Sequence, residues 1–210
     1  MRLLNRRTLL GVAVAASAAF TTGPGQAAGT AKVDTPAPGF EGATASGGTI
    51  SLDAYRGKTV VLEWTNHECP YVRKHYGAGN MQQTQRDALA KGVVWLSVIS
   101  SAPGEEGYVE AAEAQELMRQ RDANPTEVIL DPKGEIGKLY GARTTPHMYI
   151  VDPDGVLKYM GGIDSIPSAR ESDIAKATNY VTVALNELAA GKPVSNPVTR
   201  AYGCSVKYAW

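Results

Sequence analysis

The sequence has no net charge, little clustering of basic residues and no long hydrophobic run. Lysine and arginine total 21, as do aspartate and glutamate, so the formal net charge is +0. Basic residues cluster only at Arg73-Lys74-His75, which argues against nucleic acid as a partner. The apolar run from Leu9 to Phe20 is too short to span a bilayer comfortably. We therefore expect neither a nucleic-acid partner nor a membrane anchor.

Cysteine is also scarce, and its two copies stand far apart, at positions 69 and 204. The residue three positions before Cys69 is Asn66, and the residue three positions after it is Val72, so Cys69 has no Cys-x-x-Cys partner. Exchange within a local dithiol is therefore impossible. Any resolution of an oxidised Cys69 within this chain must draw on Cys204.

The N-terminus predicts an export signal over residues 1–27. Arg2, Arg6 and Arg7 precede the apolar run, and small residues follow it around Ala27, where we expect cleavage. The pair Arg6-Arg7 suits a twin-arginine signal, and an ordinary secretory signal is the alternative. We expect a periplasmic protein, mildly acidic after removal of the signal, in a compartment where disulfides form and persist.

The rest of the chain has the length and composition of one globular domain with a substantial core. The 210 residues are 43% hydrophobic and 20% charged. Residues 28–48 are rich in Gly, Ala, Pro and Thr, which predicts a linker and an irregular N-terminal arm. Residues 49–190 are the predicted domain, and residues 191–210 are a tail that carries Cys204.

Alternating strand and helix patterns predict an α/β fold with a mixed central sheet and helices on both faces. The turn signal Asp152-Pro153-Asp154-Gly155 predicts a hairpin, the only terminal antiparallel element we expect, at which the sheet should end. A short hairpin or strand is predicted around Thr49 to Leu52, before a turn at Gly57. The predicted strands cover 59–64, 93–99, 128–131, 148–151 and 156–160. The predicted helices cover two segments after Cys69 that are interrupted at Gly77 and Gly79, then 108–121, 136–140 and a long amphipathic helix over 168–190.

Cys69 stands where a buried strand passes to a helix. Pro70 follows it, and proline suits the first helical position because its missing N–H would be unpaired there. Free N–H groups and the helix dipole favour a thiolate at such a place, which lowers the thiol pKa below its usual value of about 8.5. The alternative is a small buried hydrophobic residue, but the neighbours His67, Glu68 and Arg73 are too polar for a core position. Open α/β sheets also place their sites at the carboxyl ends of strands.

Two interpretations of the cysteine pair stay open on the residues alone. A permanent Cys69–Cys204 bridge would be a structural staple, whereas a cycling pair, joined through a flexible tail, would make Cys204 the resolving thiol. A soft metal site for copper or zinc, built from Cys69 and histidines, is a further alternative. Glu63, at the end of an apolar strand, is either a proton carrier or an exposed carboxylate at an edge. The histidines are His67, His75 and His147.

These segments resemble the thioredoxin-like superfamily, in the redoxin branch shared with alkyl hydroperoxide reductase and thiol-specific antioxidant proteins. The similarity covers about Val33 to Ala190. An exported bacterial subgroup is more closely similar, through Asn-x-x-Cys-Pro-(Phe/Tyr)-Val and a C-terminal Gly-Cys-Ser-(Ile/Val)-Lys. The residues that carry the resemblance are Val60 to Asn66, Cys69-Pro70-Tyr71-Val72, Thr145-Pro146, Met148 to Asp152, Asp154-Gly155 and Gly203-Cys204-Ser205-Val206-Lys207.

The resemblance implies a thioredoxin fold, with Cys69 as the nucleophile and Pro146 as a cis-proline that faces it. Peroxiredoxins place a threonine three residues before their reactive cysteine and an arginine just before the later strand. Asn66 holds the threonine position here, and Thr65 is one residue off. Arg143 is a candidate substitute for the arginine, as is Arg73 on the helix after Cys69.

We therefore expect a peroxiredoxin-like thiol oxidoreductase that acts on peroxides or disulfides through Cys69, with Cys204 as the resolving thiol. We predict no cofactor and no metal ion, and we expect a thiol reductant or a disulfide-bearing protein as partner. The alternative class is a non-catalytic thioredoxin-fold binding module with a structural disulfide or a copper site. The predicted catalytic residues are Cys69, Cys204, Pro146, Thr65 and Arg143.

Overall fold

The computed structural model describes residues 31–209, so the predicted export signal over residues 1–27 lies outside the described residues. Among residues 31–209, no helix has both the length and the apolar character needed to cross a membrane. The strands are β1 (Glu41–Thr44), β2 (Thr49–Ser51), β3 (Val60–Trp64), β4 (Val94–Ile99), β5 (Glu127–Leu130), β6 (Thr144–Thr145), β7 (His147–Val151), β8 (Leu157–Gly161) and β9 (Cys204–Ser205). The α-helices are α1 (Pro70–Gly77), α2 (Asn80–Leu89), α3 (Ala111–Gln120), α4 (Glu135–Tyr140) and α5 (Tyr180–Ala189), and 3-10 helices cover Leu52–Tyr55 and Glu171–Lys176.

The central sheet is mixed and has the strand order β2-β1-β5-β4-β3-β7-β8. β3 pairs parallel with β4 and antiparallel with β7, so the strand that leads to Cys69 lies inside the sheet. Alternate residues of β3 face opposite sides, and Val61 packs with α1, α2 and α5. Leu62 and Trp64 pack with α4 and with the chain that precedes β1. The predicted α/β fold, with helices on both faces, is therefore confirmed.

The hairpin of β7 and β8 forms one edge of the sheet, as predicted, and β2 at the other edge lies where a short strand was predicted, but β1 was not predicted. β1 lies inside the predicted linker over 28–48 and pairs antiparallel with both β2 and β5. A Cβ at Gly42 would lie 2.6 Å from Ile129, so the close approach of β1 to β5 needs a glycine. Gly47 and Gly48, at φ +93 and +108, form the turn into β2. The small residues of this segment therefore serve tight packing in the sheet, and the sheet ends in antiparallel pairs at both edges, not at the hairpin alone.

Two predicted helical segments can be compared with the structure, the pair after Cys69 and the long helix over 168–190. The break after Cys69 is where the sequence predicts it, since Gly79 separates α1 from α2 with a left-handed φ of +72. The predicted helix over 168–190 is correct only in its second half, because α5 forms there and only a 3-10 helix forms in the first half. Asn179 starts α5 anew, since its side chain accepts a hydrogen bond from the Thr182 N–H. Tyr180 donates its N–H to Ile163 O, which ties the start of α5 to the segment that follows β8.

The tail over 191–210 is docked on the domain by specific contacts. Thr199 donates its N–H to Met160 O at 3.1 Å, beside the outer strand β8. The strand β9 then pairs antiparallel with β6, and the Tyr208 hydroxyl donates to Ala142 O at 2.7 Å. A Cβ at Gly161 would lie 2.1 Å from the Thr199 hydroxyl, so this approach also needs a glycine. The expected flexible tail is thus replaced by a segment with its own hydrogen-bond partners.

Candidate active site

Cys69 is the N-cap of α1, and Pro70 occupies the first turn, as the sequence predicts. The Cys69 N–H donates to Asn66 O at 3.2 Å, and the Asn66 side-chain oxygen accepts from the Glu68 N–H at 2.9 Å. Asn66 therefore shapes the loop between β3 and α1, a role for which its short amide side chain is well suited. The Cys69 side chain makes no capping bond to the helix, which leaves its thiol free for other partners.

A second loop packs against this turn and brings acidic groups to the site. The Asn66 amide donates to Glu106 Oε1 at 3.1 Å, and the Gly107 N–H donates to Glu68 Oε2 at 2.7 Å. Gly107 has φ +82, and a Cβ there would lie 2.3 Å from the Asn66 side chain. Glu68 and Glu106 thus flank the N-terminal end of α1, an arrangement that sequence reasoning did not anticipate.

The two cysteine side chains meet at the N-terminal end of α1. Their Sγ atoms are 2.8 Å apart, and both are free thiols. The Cys69 thiol is fully buried and also lies 3.1 Å from Thr145 O, to which it can donate. The Thr145-Pro146 peptide bond is cis, and Thr145 is the residue opposite Cys204 in the β6–β9 pair. Three predicted site residues, Cys69, Cys204 and Pro146, therefore lie together.

The pKa values of the two thiols shift in opposite directions. Burial opposes ionisation of Cys69, but hydrogen bonding, chiefly from the Cys204 thiol, outweighs it and lowers the Cys69 pKa. Burial and the neighbouring Cys69 raise the pKa of Cys204 to about 12. Cys69 therefore ionises first, while Cys204 keeps its proton. This order is the one expected of a nucleophile with a resolving thiol beside it.

The other two predicted site residues lie differently. Thr65 is buried and donates its backbone N–H to Val98 O at 3.0 Å, while its hydroxyl has no hydrogen-bond partner. Arg143 is exposed, and its backbone oxygen accepts from the Val206 N–H at 3.1 Å. Arg143 therefore contributes backbone pairing beside the tail.

Glu63 is fully buried, so the expectation of an exposed carboxylate at an edge is wrong. Its Oε2 accepts hydrogen bonds from Trp95 at 2.8 Å, Ser97 at 3.0 Å and Gln85 at 3.3 Å. Tyr76 donates to Oε1 at 2.9 Å. Burial raises the pKa of Glu63, and these bonds lower it only in part. Glu63 is buried because β3 lies between two strands and under α1 and α2, a position that the sequence alone did not reveal.

The histidines that were candidates for a metal site are dispersed. Among residues 31–209, no group of three or more His, Cys, Asp or Glu side chains is arranged to hold a metal ion. His75 Nδ1 lies 2.8 Å from the Asn80 amide, and His147 Nδ1 lies 3.1 Å from the Tyr149 hydroxyl. Burial is the main cause that lowers the pKa of both to about 4. Their ring nitrogens therefore serve internal hydrogen bonds.

A cysteine at a helix N-terminus, beside a cis-proline on a mixed sheet, together with the family match, defines a redoxin of the thioredoxin-like superfamily. The sequence profile of the AhpC/TSA family matches residues 33–160, which is more than half of the chain. The chain therefore belongs to the AhpC/TSA family. No curated protein matches the chain.

Solved structures share the fold. An uncharacterized conserved protein from Geobacillus kaustophilus has a TM-score of 0.75 and 22% identity, covering 85% of this chain and 93% of that chain. A hypothetical protein from Sinorhizobium meliloti 1021 has a TM-score of 0.74 and 18% identity, covering 86% of this chain and 97% of that chain. A putative thiol:disulfide interchange protein DsbE from Chlorobium tepidum has a TM-score of 0.51 and 24% identity, covering 62% and 85%. At these identities the similarity establishes the fold alone.

Proposed function

We propose that this protein is a thiol oxidoreductase in which Cys69 is the nucleophile and Cys204 is the resolving thiol. The observation that carries the proposal is the contact of the two sulfur atoms, 2.8 Å apart across the loop that holds the cis-proline. A disulfide has an S–S distance of about 2.0 Å, so small side-chain adjustments are enough to form the bond. The opposite shifts of the two pKa values support the assignment of roles.

With a disulfide as substrate, the reaction has two exchange steps. The Cys69 thiolate attacks one sulfur, forms a mixed disulfide with it and releases the other sulfur as a thiolate. Cys204 then loses its proton, attacks the Cys69 sulfur and releases the second substrate thiolate. The dithiol has thereby given two electrons and two protons to the substrate, and an external thiol reductant returns them to the Cys69–Cys204 disulfide. The substrate leaves as two thiols.

A peroxide is the second candidate substrate, and membership of the AhpC/TSA family favours it. The Cys69 thiolate would attack one peroxide oxygen to form a sulfenic acid and release an alcohol or water. Cys204 would then displace water and form the same disulfide. Asn66, at the position of the peroxiredoxin threonine, donates to Glu106 instead of the thiol, and Arg143, the candidate arginine, is exposed. We therefore rank disulfide exchange ahead of peroxide reduction.

Single-turnover reactions of the reduced protein test these roles. Wild type is mixed with a glutathione disulfide or with hydrogen peroxide, quenched in acid, alkylated and examined by mass spectrometry. We expect Cys69→Ser to abolish both reactions, because the nucleophile is lost. We expect Cys204→Ser to stop after the first step, with the glutathione adduct accumulating on Cys69.

The matched control is Ser205→Ala, which changes the exposed neighbour of Cys204 and keeps both thiols. It should react like wild type. Turnover by Cys69→Ser at the wild-type rate would refute the proposal. Reaction of hydrogen peroxide much faster than of the disulfide would reverse the ranking of substrates and leave the roles of the two cysteines in place.

The rival interpretation is a non-catalytic binding module with a permanent Cys69–Cys204 bridge or a bound copper ion. The reduction potential separates the two, because structural disulfides usually lie below about −300 mV and catalytic ones are reduced more easily. Equilibration with glutathione buffers measures it directly. A second test is copper binding by the reduced protein, which would support the rival if it were stoichiometric and lost in Cys69→Ser or His147→Ala.

The proposed compartment is the bacterial periplasm, where a thiol reductant or a disulfide-bearing protein would be the partner. The proposal rests on the predicted signal over residues 1–27, and oxidising conditions there suit a cysteine pair that cycles. Fractionation of cells that express the full chain tests it. Replacement of both Arg6 and Arg7 by lysine should stop export if the twin-arginine assignment is right, and an ordinary secretory signal should tolerate the change.

A further inference from the structure

Backbone pairing alone gives Cys204 a weak attachment to the site. The strand β9 has two residues, and its only partner in the described part of the chain is the equally short β6. Cys204 itself is half-buried. Side-chain contacts of the residues next to β9 must therefore add to this pairing if the thiol is to stay against Cys69.

Tyr202, two residues before Cys204 in the sequence, belongs to a buried polar cluster around Asp164. The Tyr202 hydroxyl donates to Asp164 Oδ1, and the Lys74 ammonium contacts Asp164 Oδ2 at 3.1 Å. The Ile166 N–H also donates to Asp164 Oδ1, at 3.0 Å. The side chain of Lys74 is 0% exposed and that of Asp164 is 3% exposed. Because a buried charge pair needs such complete bonding, this cluster is a specific arrangement and not a surface contact.

His75 completes the surroundings of Asp164. Its Nε2 lies 3.4 Å from the Tyr202 hydroxyl and 3.7 Å from Asp164 Oδ2. Its Nδ1 faces the side-chain nitrogen of Asn80, which donates, so the proton of the neutral ring sits on Nε2. Burial, aided by Lys74, lowers the His75 pKa to about 4, so the ring is neutral near pH 7. Burial and Asp164 raise the pKa of Tyr202, so its hydroxyl remains a donor.

The cluster joins the two segments that carry the thiols. Lys74 belongs to α1, whose N-cap is Cys69, and Tyr202 belongs to the tail two residues before Cys204. The Tyr202 ring also packs edge-on against Tyr71 of α1, with centroids 5.8 Å apart. Asp164, outside both segments, therefore receives one donor from each.

We propose that Tyr202, Asp164 and Lys74 form a latch that positions the Cys204 thiol against Cys69 for disulfide formation. The inference rests on the proposed redox pairing of the two cysteines and names what makes that pairing efficient. The latch and the S–S bond hold the tail in the same position, so each strengthens the other. Loss of the latch lets Cys204 of the dithiol move away from Cys69 and therefore disfavours disulfide formation. The three residues are positioning residues, since none of them touches the reacting sulfur atoms.

The substitution Tyr202→Phe tests the latch, because it keeps the ring and removes only the hydroxyl. The reaction is the exchange of the dithiol with one glutathione disulfide to give the protein disulfide and two glutathione thiols. A hydrogen bond to a charged group corresponds to roughly a tenfold to hundredfold change in an equilibrium constant. We expect the equilibrium constant for protein disulfide formation to fall by about that factor, which raises the reduction potential by about 30 mV per tenfold.

The matched control is Tyr140→Phe, which also removes a buried hydroxyl, one that donates to Pro38 O at 2.7 Å and to no atom of the tail. It should lower the unfolding temperature and leave the glutathione equilibrium unchanged, because both redox states are folded. In a Cys69→Ser background, Tyr202→Phe should also speed the alkylation of Cys204. An equilibrium constant for Tyr202→Phe within twofold of wild type would overturn the latch.

The variant Asp164→Asn provides a second test. We expect it to lower the same equilibrium constant, and we expect Tyr202→Phe to add nothing further to it, because both changes break one unit. Multiplying effects in the double variant would overturn the latch. Should Asp164→Asn fail to fold because Lys74 is left unpaired, Tyr202→Phe decides alone.

The latch and the proposed function can fail separately. A shifted glutathione equilibrium in Tyr202→Phe, together with wild-type Cys69 reacting with glutathione disulfide and hydrogen peroxide no faster than free glutathione does, would refute the function and support the latch. Turnover that depends on Cys69, together with an unshifted equilibrium in Tyr202→Phe, would refute the latch and support the function.

Discussion

Adding one methyl group at Gly203 tests how closely the tail must approach the cis-proline loop. A Cβ at this position would lie 2.0 Å from Thr145 O and 2.8 Å from Thr145 C. Gly203 also has φ +135, a backbone conformation that alanine rarely adopts and that costs on the order of 1–3 kcal/mol. Real Cβ contacts essentially never fall under 3.0 Å, so the tail or the Thr145 carbonyl must move.

The required movement sets the size of the expected effect. Thr145 O lies 3.1 Å from the Cys69 sulfur and next to Cys204 in the β6–β9 pair, so either displacement changes the alignment of the two thiols. The displacement is about 1 Å, and a misplacement of that size can cost roughly 100-fold in rate. We therefore expect Gly203→Ala to close the disulfide about 100-fold more slowly than wild type.

The assay separates closure of the disulfide from the first attack on substrate. Reduced protein is mixed with glutathione disulfide, quenched in acid at intervals and alkylated, and mass spectrometry measures the Cys69–glutathione adduct and the Cys69–Cys204 disulfide. In Gly203→Ala the adduct should form and persist, because Cys204 reaches it slowly. In wild type the adduct should be transient.

The variant Gly191→Ala is the matched control for this prediction. Gly191 lies in the same tail and has φ +66, but no atom lies within 4 Å of its added Cβ. Gly191→Ala puts alanine at a positive φ without a steric clash, so its Cys69–Cys204 disulfide should form at the wild-type rate. Wild-type closure in Gly203→Ala, or an equal loss in Gly191→Ala, would contradict the steric argument.

Two further predictions concern ionisation. Burial raises the folded-state pKa of Glu63, so wild type should lose stability as pH rises from the unfolded value of about 4.3 through the folded one. In Glu63→Gln this loss should disappear, so urea midpoints at pH 5 and pH 8 should lie closer together than in wild type; an unchanged difference would contradict the argument. Hydrogen bonding by Cys204 lowers the Cys69 pKa, so Cys204→Ala should shift the midpoint of Cys69 alkylation to higher pH than Cys204→Ser, which keeps a donor. Equal midpoints in the two variants would remove Cys204 from the causes of the shift.

Local patterns predicted much of the fold because their determinants lie close in sequence. An apolar run that ends before Cys69-Pro70 predicts a strand followed by a helix, and the structure has β3 followed by α1. The hairpin around Gly155 and the break at Gly79 follow from turn chemistry of a few residues. Each of these features was correctly placed without knowledge of any distant contact.

The errors have a common physical cause, which is that distant segments decided the outcome. β1 is rich in small residues because it packs closely over Ile129 of β5, and its composition alone resembles a linker. The break before α5 depends on the backbone contact of Tyr180 with Ile163. Glu63 looks like an exposed carboxylate at a strand end, but the helices packed over β3 bury it.

The sequence by itself determined that Cys69 sits at a helix N-terminus and that only Cys204 can resolve it within this chain, because both statements depend on residue identity and short-range geometry. The tertiary structure alone decided that Cys204 lies 2.8 Å from Cys69. That distance depends on a glycine at 203 that permits contact with Thr145, and on Tyr202 reaching Asp164. Such contacts join residues far apart in the chain, where local propensity carries no information, and they set which thiol ionises first.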